Sequence, residues 1–349
     1  MIDSLMKQNN CNELVTRYDP KSGCTFVIAL NTIYQGRGNG GTRMKNYSSV
    51  DEGIKDALRL ANAMTKKCVI IGKDDNGGFS GAKGVIIGDP TTQKTPEMLE
   101  NYGRLVQSLG GRFQTGCDMN ISPMDLTHIA KQTQYVDGLP SIGLGDGGAA
   151  TAYGLNVAMK TLCKHRYGSA SLRDRIVAVQ GIGSVGSDLI RRLRKDGANV
   201  IVTDIDSAKL ESISKKQDVN VVSPREIYGV KCDIFSPNAS GDILTAENIK
   251  KLNCDMVIGA ANNPLSKGLE SVKEMHERGI IFAPDYIANI GAQVLSICEV
   301  GGKSFQHAMD RTKDIIQKRL DQVVLEAVKR GETLYDASER IVNREMSRS

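Results

Sequence analysis

The segment from Lys67 to Lys83 places two lysines on the two sides of a glycine-rich turn. Gly77, Gly78 and Gly81 leave little side-chain bulk in this segment, so a ligand can approach the backbone closely. Two ammonium groups that face one small pocket repel each other, and burial of one lowers its pKa further. Such a lysine can act as a base near neutral pH. On this segment alone, a surface turn with two solvated lysines is an equally good interpretation.

The overall composition is that of a globular protein with room for about two domains. The chain has 349 residues, and no run approaches the roughly 20 apolar residues of a membrane span. The polar N-terminus lacks the apolar centre of a secretory signal. The net charge of +5 is spread along the chain, without a basic run interleaved with aromatic residues. We therefore expect neither a membrane nor a nucleic acid as a partner.

The cysteines and histidines indicate neither a disulfide framework nor a metal site. The eight cysteines are scattered and include no Cys-x-x-Cys pair, which is typical of reduced thiols in the cytoplasm. The four histidines lie far apart in the sequence, and none belongs to a cluster with ligand spacing. We therefore expect a cytoplasmic protein without a catalytic metal.

Strand-like and helix-like patterns alternate along the chain. In the first part, β-rich runs such as 25–30 alternate with a helix after the capping box Ser49-x-x-Glu52 and with a helix over 95–109. Four glycines within 143–148 mark a hinge or linker. In the second part, short apolar runs alternate with helical stretches. This alternation favours a parallel sheet that is covered on both faces.

A glycine-rich turn in the second part has the spacing Gly-x-Gly-x-x-Gly and the context of a dinucleotide site. The strand-like run Ile176–Gln180 precedes Gly181, Gly183 and Gly186, and a helix follows. The three glycines would allow a tight turn, the approach of a pyrophosphate and close helix packing, in that order. The helix N-terminus offers N–H groups and a favourable dipole to phosphates. A packing turn that binds no phosphate is the alternative.

An acidic residue ends the next predicted strand. The carboxylate of Asp204 would accept hydrogen bonds from the hydroxyl groups of the adenosine ribose. Ile205 and Asp206 follow, and no arginine is adjacent, so a 2′-phosphate would be repelled. The sequence therefore predicts NAD rather than NADP as the cofactor.

Polar loops follow three later strands, at the sheet edge where ligands bind in folds of this kind. These loops contain Asn262, Asn263 and Asn289. Their amide groups could hydrogen-bond nicotinamide or substrate. Asparagines also cap helices and form turns, so each residue alone is open to either interpretation.

The order of motifs along the chain resembles the glutamate/leucine/phenylalanine/valine amino-acid dehydrogenase family, most closely its leucine and phenylalanine branch. The likeness extends from about residue 25 to about residue 344. Members of this family reversibly oxidise an L-amino acid to a 2-oxo acid and ammonia with NAD. The motifs that carry the resemblance are Gly40-Gly-Thr-Arg-Met44, Asp56-Ala-Leu-Arg-Leu-Ala61, Met64-Thr-Lys-Lys67, Gly81-Ala-Lys83, Ile86-Ile-Gly-Asp-Pro90, Gly110-Gly-Arg112, Thr151-Ala-Tyr-Gly154, Val179-Gln-Gly-Ile-Gly183, Gly259-Ala-Ala-Asn-Asn263 and Ala283-Pro-Asp-Tyr286.

The resemblance implies an α/β fold with two domains. Residues 1–142 would form an α/β substrate-binding and oligomerisation domain. Residues 143–327 would form a Rossmann-type NAD-binding domain, with an active-site cleft between the two. The C-terminal helix, 328–349, would pack back on the first domain. The implied partners are the amino-acid or 2-oxo-acid substrate, ammonia, and further copies of the chain in a dimer or larger homo-oligomer.

The resemblance also implies which residues perform the chemistry. By position, Lys67 binds the substrate carboxylate, Lys83 is the catalytic lysine of low pKa, and Asp118 exchanges a proton with the amino group. Lys83 would activate the water that attacks the iminium carbon. The chemistry agrees with these roles, because hydride leaves Cα only from a neutral amine and the resulting iminium needs a carboxylate nearby.

Further contacts to substrate and cofactor follow from the same resemblance. Asn262 and Asn289 would contact substrate and nicotinamide, and Thr151 lies where the family contacts the nicotinamide end. Gly41 is expected beside the substrate. The residues expected to bind NAD are Gly181, Gly183, Ser184, Val185, Gly186, Asp204, Ile205, Thr151, Asn238, Ala239 and Asn262.

The side-chain pocket departs from the leucine branch. That branch has one leucine, one alanine and two valines at positions that hold Asn39, Gly116, Gln293 and Ser296 here. An aliphatic substrate would leave the three polar residues without partners, at roughly 1–3 kcal/mol each. We therefore expect a substrate with a polar or unusual side chain. Glutamate is not favoured, because the lysine that the glutamate branch uses is Asn39 here.

A short insertion separates Lys67 from Lys83. It contributes Lys73-Asp74-Asp75-Asn76 and Phe79-Ser80 near the site, and it would either shape specificity or displace Lys83. At Asn238, relatives usually carry a cysteine beside the cofactor. Two alternatives therefore stay open. The chain could be an NAD-binding homologue without turnover that acts as a regulator or assembly partner, or a family member that performs modified imine chemistry in a natural-product pathway.

Overall fold

The chain forms two compact units of mixed α/β structure, as the sequence predicts. The computed structural model describes residues 2–31, 36–73, 75, 77–140, 143–239 and 241–347. The first unit contains the residues up to Asp146 together with Gln293–His307. The second unit contains Gly147–Ala292 and Ala308–Ser347.

This division differs from the expected one at two segments. Gln293–His307 belongs to the first unit, where the Glu299 carboxylate accepts a hydrogen bond of 2.6 Å from the backbone N–H of Gly138. The C-terminal helical stretch belongs to the second unit, where the Tyr286 hydroxyl donates a hydrogen bond of 2.7 Å to Glu339. Each segment clusters with the unit that holds its polar partners.

The first unit is built on a six-stranded sheet with the order β1-β2-β5-β3-β6, in which β4 also pairs with β5. Strand β2 is antiparallel to both β1 and β5, whereas β3 and β4 run parallel to β5. The elements are α1 (Ile2–Gln8), β1 (Glu13–Asp19), β2 (Cys24–Asn31), β3 (Arg37–Asn39), β4 (Thr42–Lys45), α2 (Val50–Ile71), β5 (Phe79–Ile87), α3 (Pro96–Ser108), β6 (Phe113–Gln114) and α4 (Pro123–Ala130).

Alternating side chains of β2 fill two cores, one on each face of this sheet. Val27 and Ala29 pack against α2. Phe26 and Ile28 pack with residues of α3 and α4. Lys83 of β5 lies directly opposite Ala29 in the antiparallel pair, so it belongs to the face that α2 covers. That face carries the candidate site of this unit.

Helix α2 begins at its predicted cap and extends past its predicted end. The Ser49 hydroxyl accepts a hydrogen bond of 3.2 Å from the N–H of Glu52. The Glu52 carboxylate accepts from the N–H of Ser48, one residue earlier than a capping box requires. The helix continues to Ile71 because the apolar run that follows Lys67 is buried. Lys67 therefore lies inside the helix and not after it.

The insertion does not displace Lys83 from the sheet. Strand β5 already begins at Phe79 and Ser80, two residues that the sequence assigned to the insertion. Its pairing with β2 and β3 is continuous in this region. Asp74 and Asn76 of the insertion lie outside the described residues.

The second unit is built on a six-stranded parallel sheet with the order β12-β11-β10-β7-β8-β9. The chain changes direction across the sheet between β7 and β10, and sheets of this topology bind ligands at the carboxyl edge of that switch point. The elements are α5 (Gly147–Tyr167), β7 (Ile176–Gln180), α6 (Ser184–Lys195), β8 (Asn199–Thr203), α7 (Ser207–Lys216), β9 (Asn220–Val221), a 3₁₀ turn (Ile227–Gly229), β10 (Lys231–Pro237), α8 (Ala246–Lys251), β11 (Asn253–Val257), α9 (Leu269–Glu277), β12 (Ile281–Phe282), α10 (Asp285–Ala288), α11 (Gly291–Val300), α12 (Phe305–Arg330) and α13 (Leu334–Met346).

The predicted hinge is shorter than its glycines suggest, because α5 already begins at Gly147. Most of α11, from Gln293 onward, clusters with the first unit.

In the described ranges, no helix is both long and apolar enough to cross a membrane.

Candidate active site

A carboxylate in the first unit joins two cationic side chains. The Oδ2 atom of Asp118 lies 2.8 Å from the Nζ atom of Lys83 and accepts a hydrogen bond of 2.9 Å from the Nε atom of Arg43. Lys83 comes from β5 and Arg43 from the neighbouring β4. Asp118 directly follows Cys117, which forms a bridge with Thr42 at the start of β4. The sheet thus brings together the two residues that were predicted to be catalytic.

Arg43 extends this network to a second carboxylate. Its Nη1 atom donates a hydrogen bond of 3.0 Å to Oδ2 of Asp56, and the Tyr47 hydroxyl donates one of 2.6 Å to the same atom. Only 14% of the Arg43 side chain and 11% of the Asp56 side chain are exposed. Sequence reasoning did not single out Arg43, although it belongs to a quoted motif. The strand pairing with β5 was the missing information.

Burial and charge set the protonation of this network. Burial lowers the pKa of Lys83, the charge of Asp118 opposes this change, and the charge of Arg43 lowers the pKa further. Burial would raise the pKa of Asp118, but Lys83 and Arg43 outweigh it and hold the pKa of this carboxyl well below its usual range. The pKa of Lys83 therefore moves in the predicted direction. The charge of Arg43 contributes to this change, a contribution that sequence reasoning did not predict.

Lys67 is a buried residue of α2, the helix that covers this face, and only 7% of it is exposed. Helix α2 can approach β5 closely because residue 81 is a glycine: a Cβ on Gly81 would stand 2.1 Å from the backbone nitrogen of Thr65. Beside β5, a Cβ on Gly41 would stand 2.2 Å from the carbonyl oxygen of Cys117. Gly81 and Gly41 therefore let the backbone segments that carry Lys67, Lys83 and Asp118 approach one another.

The residues predicted to line the side-chain pocket form a chain of hydrogen bonds within the first unit. Gln293 Nε2 donates to Asn39 Oδ1 (2.7 Å), and Asn39 Nδ2 donates to Ser296 Oγ (3.2 Å). The Ser296 hydroxyl in turn donates to the Asp137 carboxylate. The expectation that an aliphatic substrate would leave these residues without partners is therefore wrong, because they are partners of one another.

Asp137 is the residue of this pocket that sequence reasoning missed. Backbone hydrogen bonds align its segment with that of Gly116, since Thr115 N–H donates to Tyr135 O (3.0 Å) and Asp137 N–H donates to Thr115 O (2.9 Å). Asp137 is 6% exposed, and a Cβ on Gly116 would stand 2.8 Å from its Oδ1 atom. Gly116 thus leaves the room that the carboxylate occupies. The acidic residue lies outside every quoted motif and had no signal of its own.

The glycine-rich turn of the second unit has the geometry that a dinucleotide site requires. Gly181 has a φ of 94°, which favours glycine, and a Cβ on Gly186 would stand 1.9 Å from the Gly181 carbonyl oxygen. A Cβ on Gly183 would meet no atom within 4 Å, so open space lies where a pyrophosphate would approach. Helix α6 begins at Ser184, and Val185 follows in its first turn. The N-cap residue, Gly183, has no side chain that could cap the helix. The first turn therefore suits an anionic ligand.

Asp204 follows β8 beside this turn. Its carboxylate accepts hydrogen bonds from the N–H groups of Ile182 (2.6 Å) and Asp206 (2.9 Å). Partial burial would raise its pKa, but these hydrogen bonds outweigh burial and lower the pKa of Asp204. Ile205 is 94% exposed. A negative charge and an exposed apolar side chain thus lie beside the glycine turn.

The loop after β10 approaches the same turn. A Cβ on Gly181 would stand 3.0 Å from the backbone nitrogen of Ala239. Asn238 donates from Nδ2 to the Ser236 carbonyl (3.0 Å) and accepts at Oδ1 from the Ala260 N–H (3.0 Å). Asn238 therefore connects the loops after β10 and β11, which gives it a structural task at the position where the resemblance leads one to expect cysteine.

Asn262 and Asn289 lie together at the carboxyl edge of β11. Asn289 Nδ2 donates to Asn262 Oδ1 (3.0 Å) and to the Ala260 carbonyl (3.1 Å). Among the described residues, the buried Oδ1 atom of Asn289 has no hydrogen-bond partner, so it is a candidate acceptor for a ligand. Thr151 Oγ1 accepts a hydrogen bond of 3.2 Å from the Ala292 N–H at the start of α11.

No group of three His, Cys, Asp or Glu side chains in the part of the chain that the structure describes could hold a metal ion. All eight cysteines are free thiols.

Family models match both units. A model described as "Glu/Leu/Phe/Val dehydrogenase, dimerisation domain" matches residues 25–135. A model described as "Glutamate/Leucine/Phenylalanine/Valine dehydrogenase" matches residues 143–208 and 204–344.

Individual proteins are similar over nearly the whole chain. A phenylalanine dehydrogenase of Lysinibacillus sphaericus is 39% identical over 326 residues, which cover 91% of this chain and 84% of the relative. A leucine dehydrogenase of Thermoactinomyces intermedius is 38% identical over 339 residues, covering 96% and 91%. The crystal structure of L-tryptophan dehydrogenase from Nostoc punctiforme has a TM-score of 0.80 at 31% identity, covering 100% and 99%.

The substitution Arg43→Met tests whether Arg43 stabilises the buried network. It removes one of the two cations that contact Asp118 and leaves Asp56 with Tyr47 and the more exposed Arg59, and we expect a loss of up to about 3–5 kcal/mol in the free energy of unfolding. Urea denaturation of the folded chain measures this loss.

The control is Arg59→Met. Arg59 lies 3.5 Å from Asp56 Oδ1 but is 42% exposed, so we expect a loss below about 1 kcal/mol. Equal losses for both variants would contradict the role given to Arg43.

Proposed function

This chain belongs to the glutamate/leucine/phenylalanine/valine dehydrogenase family and is an NAD-dependent amino-acid dehydrogenase, and we propose that it oxidises an L-amino acid with a polar side chain through Lys67, Lys83 and Asp118. The observation that carries the proposal is the contact of 2.8 Å between Lys83 and Asp118. The carboxylate and the amine of that contact are the acid–base pair that oxidative deamination needs.

Asp118 accepts a proton from the ammonium group of the substrate. Hydride can leave Cα only after this step, because the electron pair of the neutral nitrogen must form the C=N bond as the C–H bond breaks. The depressed pKa of Asp118 favours release of this proton to solvent, to which the side chain is 21% exposed, and the ionised carboxylate then balances the positive iminium. Lys67 is the cation that holds the substrate carboxylate, which fixes the orientation of Cα.

Lys83 acts on the iminium that remains. In its neutral form it takes a proton from the water that attacks the iminium carbon, and it later returns a proton as ammonia departs and the 2-oxo acid forms. The burial that lowers the pKa of Lys83 supports this role, because a lysine of ordinary pKa is protonated at neutral pH.

NAD accepts the hydride when bound, and the residues of the second unit fit it. The open space at Gly183 and the uncapped start of α6 suit the pyrophosphate. Asp204 takes the ribose hydroxyls, and Ile205 offers an apolar surface to the adenine ring. Asn289, with its buried free Oδ1 acceptor, is assigned to the nicotinamide end together with Thr151 and Asn262.

The polarity of the side-chain pocket supports a polar substrate. Asn39, Gln293, Ser296 and Asp137 present a hydrogen-bonded polar wall in which a carboxylate is almost completely buried. An aliphatic side chain packed against this wall would remove the remaining water from Asp137 without offering it a hydrogen bond, which is costly.

The proposal assigns substrate binding to the first unit and NAD binding to the second. The chain would form a homo-oligomer, a dimer or larger, through the first unit, because the family model that matches residues 25–135 is described as a dimerisation domain. The amino acid, its 2-oxo acid and ammonia are the small-molecule partners. Eight free cysteines favour the cytoplasm as its compartment.

The substitution Lys83→Ala tests the catalytic assignment. We expect kcat to fall by about a hundredfold to ten-thousandfold, because the base for water attack is lost. NADH absorbance with a panel of L-amino acids gives the rates, and NADH binding measured by its fluorescence should not change. The control Lys55→Ala, at an exposed position of α2, should keep full activity. Unchanged turnover in Lys83→Ala would show that the assignment is wrong.

The choice of cofactor is tested by rates with NAD and NADP. We expect NAD to be preferred at least about tenfold, because Asp204 repels a 2′-phosphate. Asp204→Asn should narrow this preference, whereas Asp206→Asn should change it less, since the Asp206 carboxylate is occupied in capping α7. Equal use of both cofactors by the unmodified chain would contradict the role of Asp204.

A further inference from the structure

We propose that the Asp137 carboxylate selects a substrate whose side chain ends in a positively charged nitrogen, such as an ammonium or guanidinium group. This inference rests on the proposed function and names the substrate class of the same site. Asp137 would act as a residue that determines specificity, at the far end of the pocket from Lys83 and Asp118.

Asp137 lies beside residues that are predicted to line the side-chain pocket. It terminates the hydrogen-bond chain that runs through Asn39 and Ser296, two residues predicted to line the side-chain pocket. Its Oδ1 atom lies directly against the backbone of Gly116, a third residue predicted to line the pocket, and occupies the space that a Cβ there would fill. A carboxylate reached through the substrate pocket is placed to contact the substrate.

The negative charge of Asp137 favours a cationic ligand. Asp137 is 6% exposed, and within the described ranges no lysine, arginine or histidine forms an ion pair with it. Its hydrogen-bond donors from side chains, Ser296 and Asn39, are both neutral. Burial raises the pKa of Asp137 to about 6, the hydrogen bond from Ser296 opposes this change, and the charge of Glu299 adds to it. A buried carboxylate whose side-chain partners are all neutral is stabilised by a cation on the ligand.

In the part of the chain that the structure describes, the charge that acts on Asp137 is that of a second carboxylate and not of a cation. The Glu299 carboxylate adds a second negative group, held by the backbone N–H groups of Gly138 and Leu144. The cations of the catalytic network, Lys83 and Arg43, are already bound to carboxylates of their own. The pocket wall is therefore negative, and a neutral donor would satisfy only its hydrogen-bonding capacity.

The distance between Asp118 and Asp137 can be bridged by a long substrate side chain. Asp118, which takes a proton from the α-amino group, is two residues from Gly116, and two residues span at most roughly 7 Å. Asp137 Oδ1 lies directly against Gly116. A few methylene groups, as in ornithine, lysine or arginine, are enough to bridge a distance up to this limit.

The test compares cationic and neutral substrates of similar length. Initial rates of NADH formation are measured with L-lysine, L-ornithine, L-arginine and the neutral L-norleucine, for the unmodified chain and for Asp137→Asn. We expect the best cationic substrate to exceed norleucine at least tenfold in kcat/KM. Asp137→Asn should lower that value at least tenfold, mainly through KM, and should lower the ratio of cationic substrate to norleucine.

Two further variants keep the test decisive. Gly116→Ala puts a methyl group against Asp137 Oδ1, and we expect it to weaken the cationic substrates selectively. Asp51→Asn, an exposed acidic residue at the start of α2, is the control and should change neither ratio. Unfolding midpoints of all variants show whether each one folds.

The outcomes separate the two proposals. Norleucine that equals or exceeds every cationic substrate, or a substrate ratio that survives both Asp137→Asn and Gly116→Ala, overturns the inference and leaves the dehydrogenase intact. A neutral hydrogen-bond donor such as L-glutamine that exceeds all three cations likewise overturns it. Absence of NADH with every amino acid overturns the proposed function, and the inference with it.

Discussion

The contact of Lys83, Asp118 and Arg43 is the interaction on which the first unit depends. A single carboxylate oxygen of Asp118 meets both cations, at 2.8 and 2.9 Å. Two cations and one carboxylate leave a positive excess, and Arg43 disperses it by binding Asp56 as well. Two consequences follow for the chemistry: Asp118 stays ionised, and the pKa of Lys83 is lowered by burial and by the charge of Arg43.

The backbone that surrounds this contact is shaped to permit it. Gly81 lets α2 approach β5, and Gly41 lets the segment of Asp118 approach the strand beside Lys83. A Cβ at Gly81 or Gly41 would stand 2.1 or 2.2 Å from a backbone atom, so the helix or the segment of Asp118 would have to move away. Glycines permit a similarly close backbone contact in the second unit, where Gly186 packs against Gly181. In both units glycines decide how close the functional groups come.

Local motifs in the sequence predicted much of this arrangement, and long-range pairs escaped prediction. The turn from Gly181 to Gly186 and the acid at 204 follow one strand and one helix, so spacing alone indicated their roles. Ser296 and Asp137 are 159 residues apart, and no pattern in either segment indicates that they meet. Lys67 was placed after its helix because burial of the following apolar run depends on tertiary packing. The sequence therefore predicted the pocket residues by position but not the hydrogen bonds that join them.

The polar pocket and the acid–base network together describe a dehydrogenase that removes hydride from Cα of an amino acid. The transfer of deuterium tests that claim most directly. L-amino acids that carry deuterium at Cα are incubated with the enzyme and NAD, and the NADH formed is examined by mass spectrometry. The account predicts that NADH gains the deuterium from Cα. NADH that forms without deuterium would contradict direct transfer from the amino acid and with it the chemistry assigned to Lys83 and Asp118.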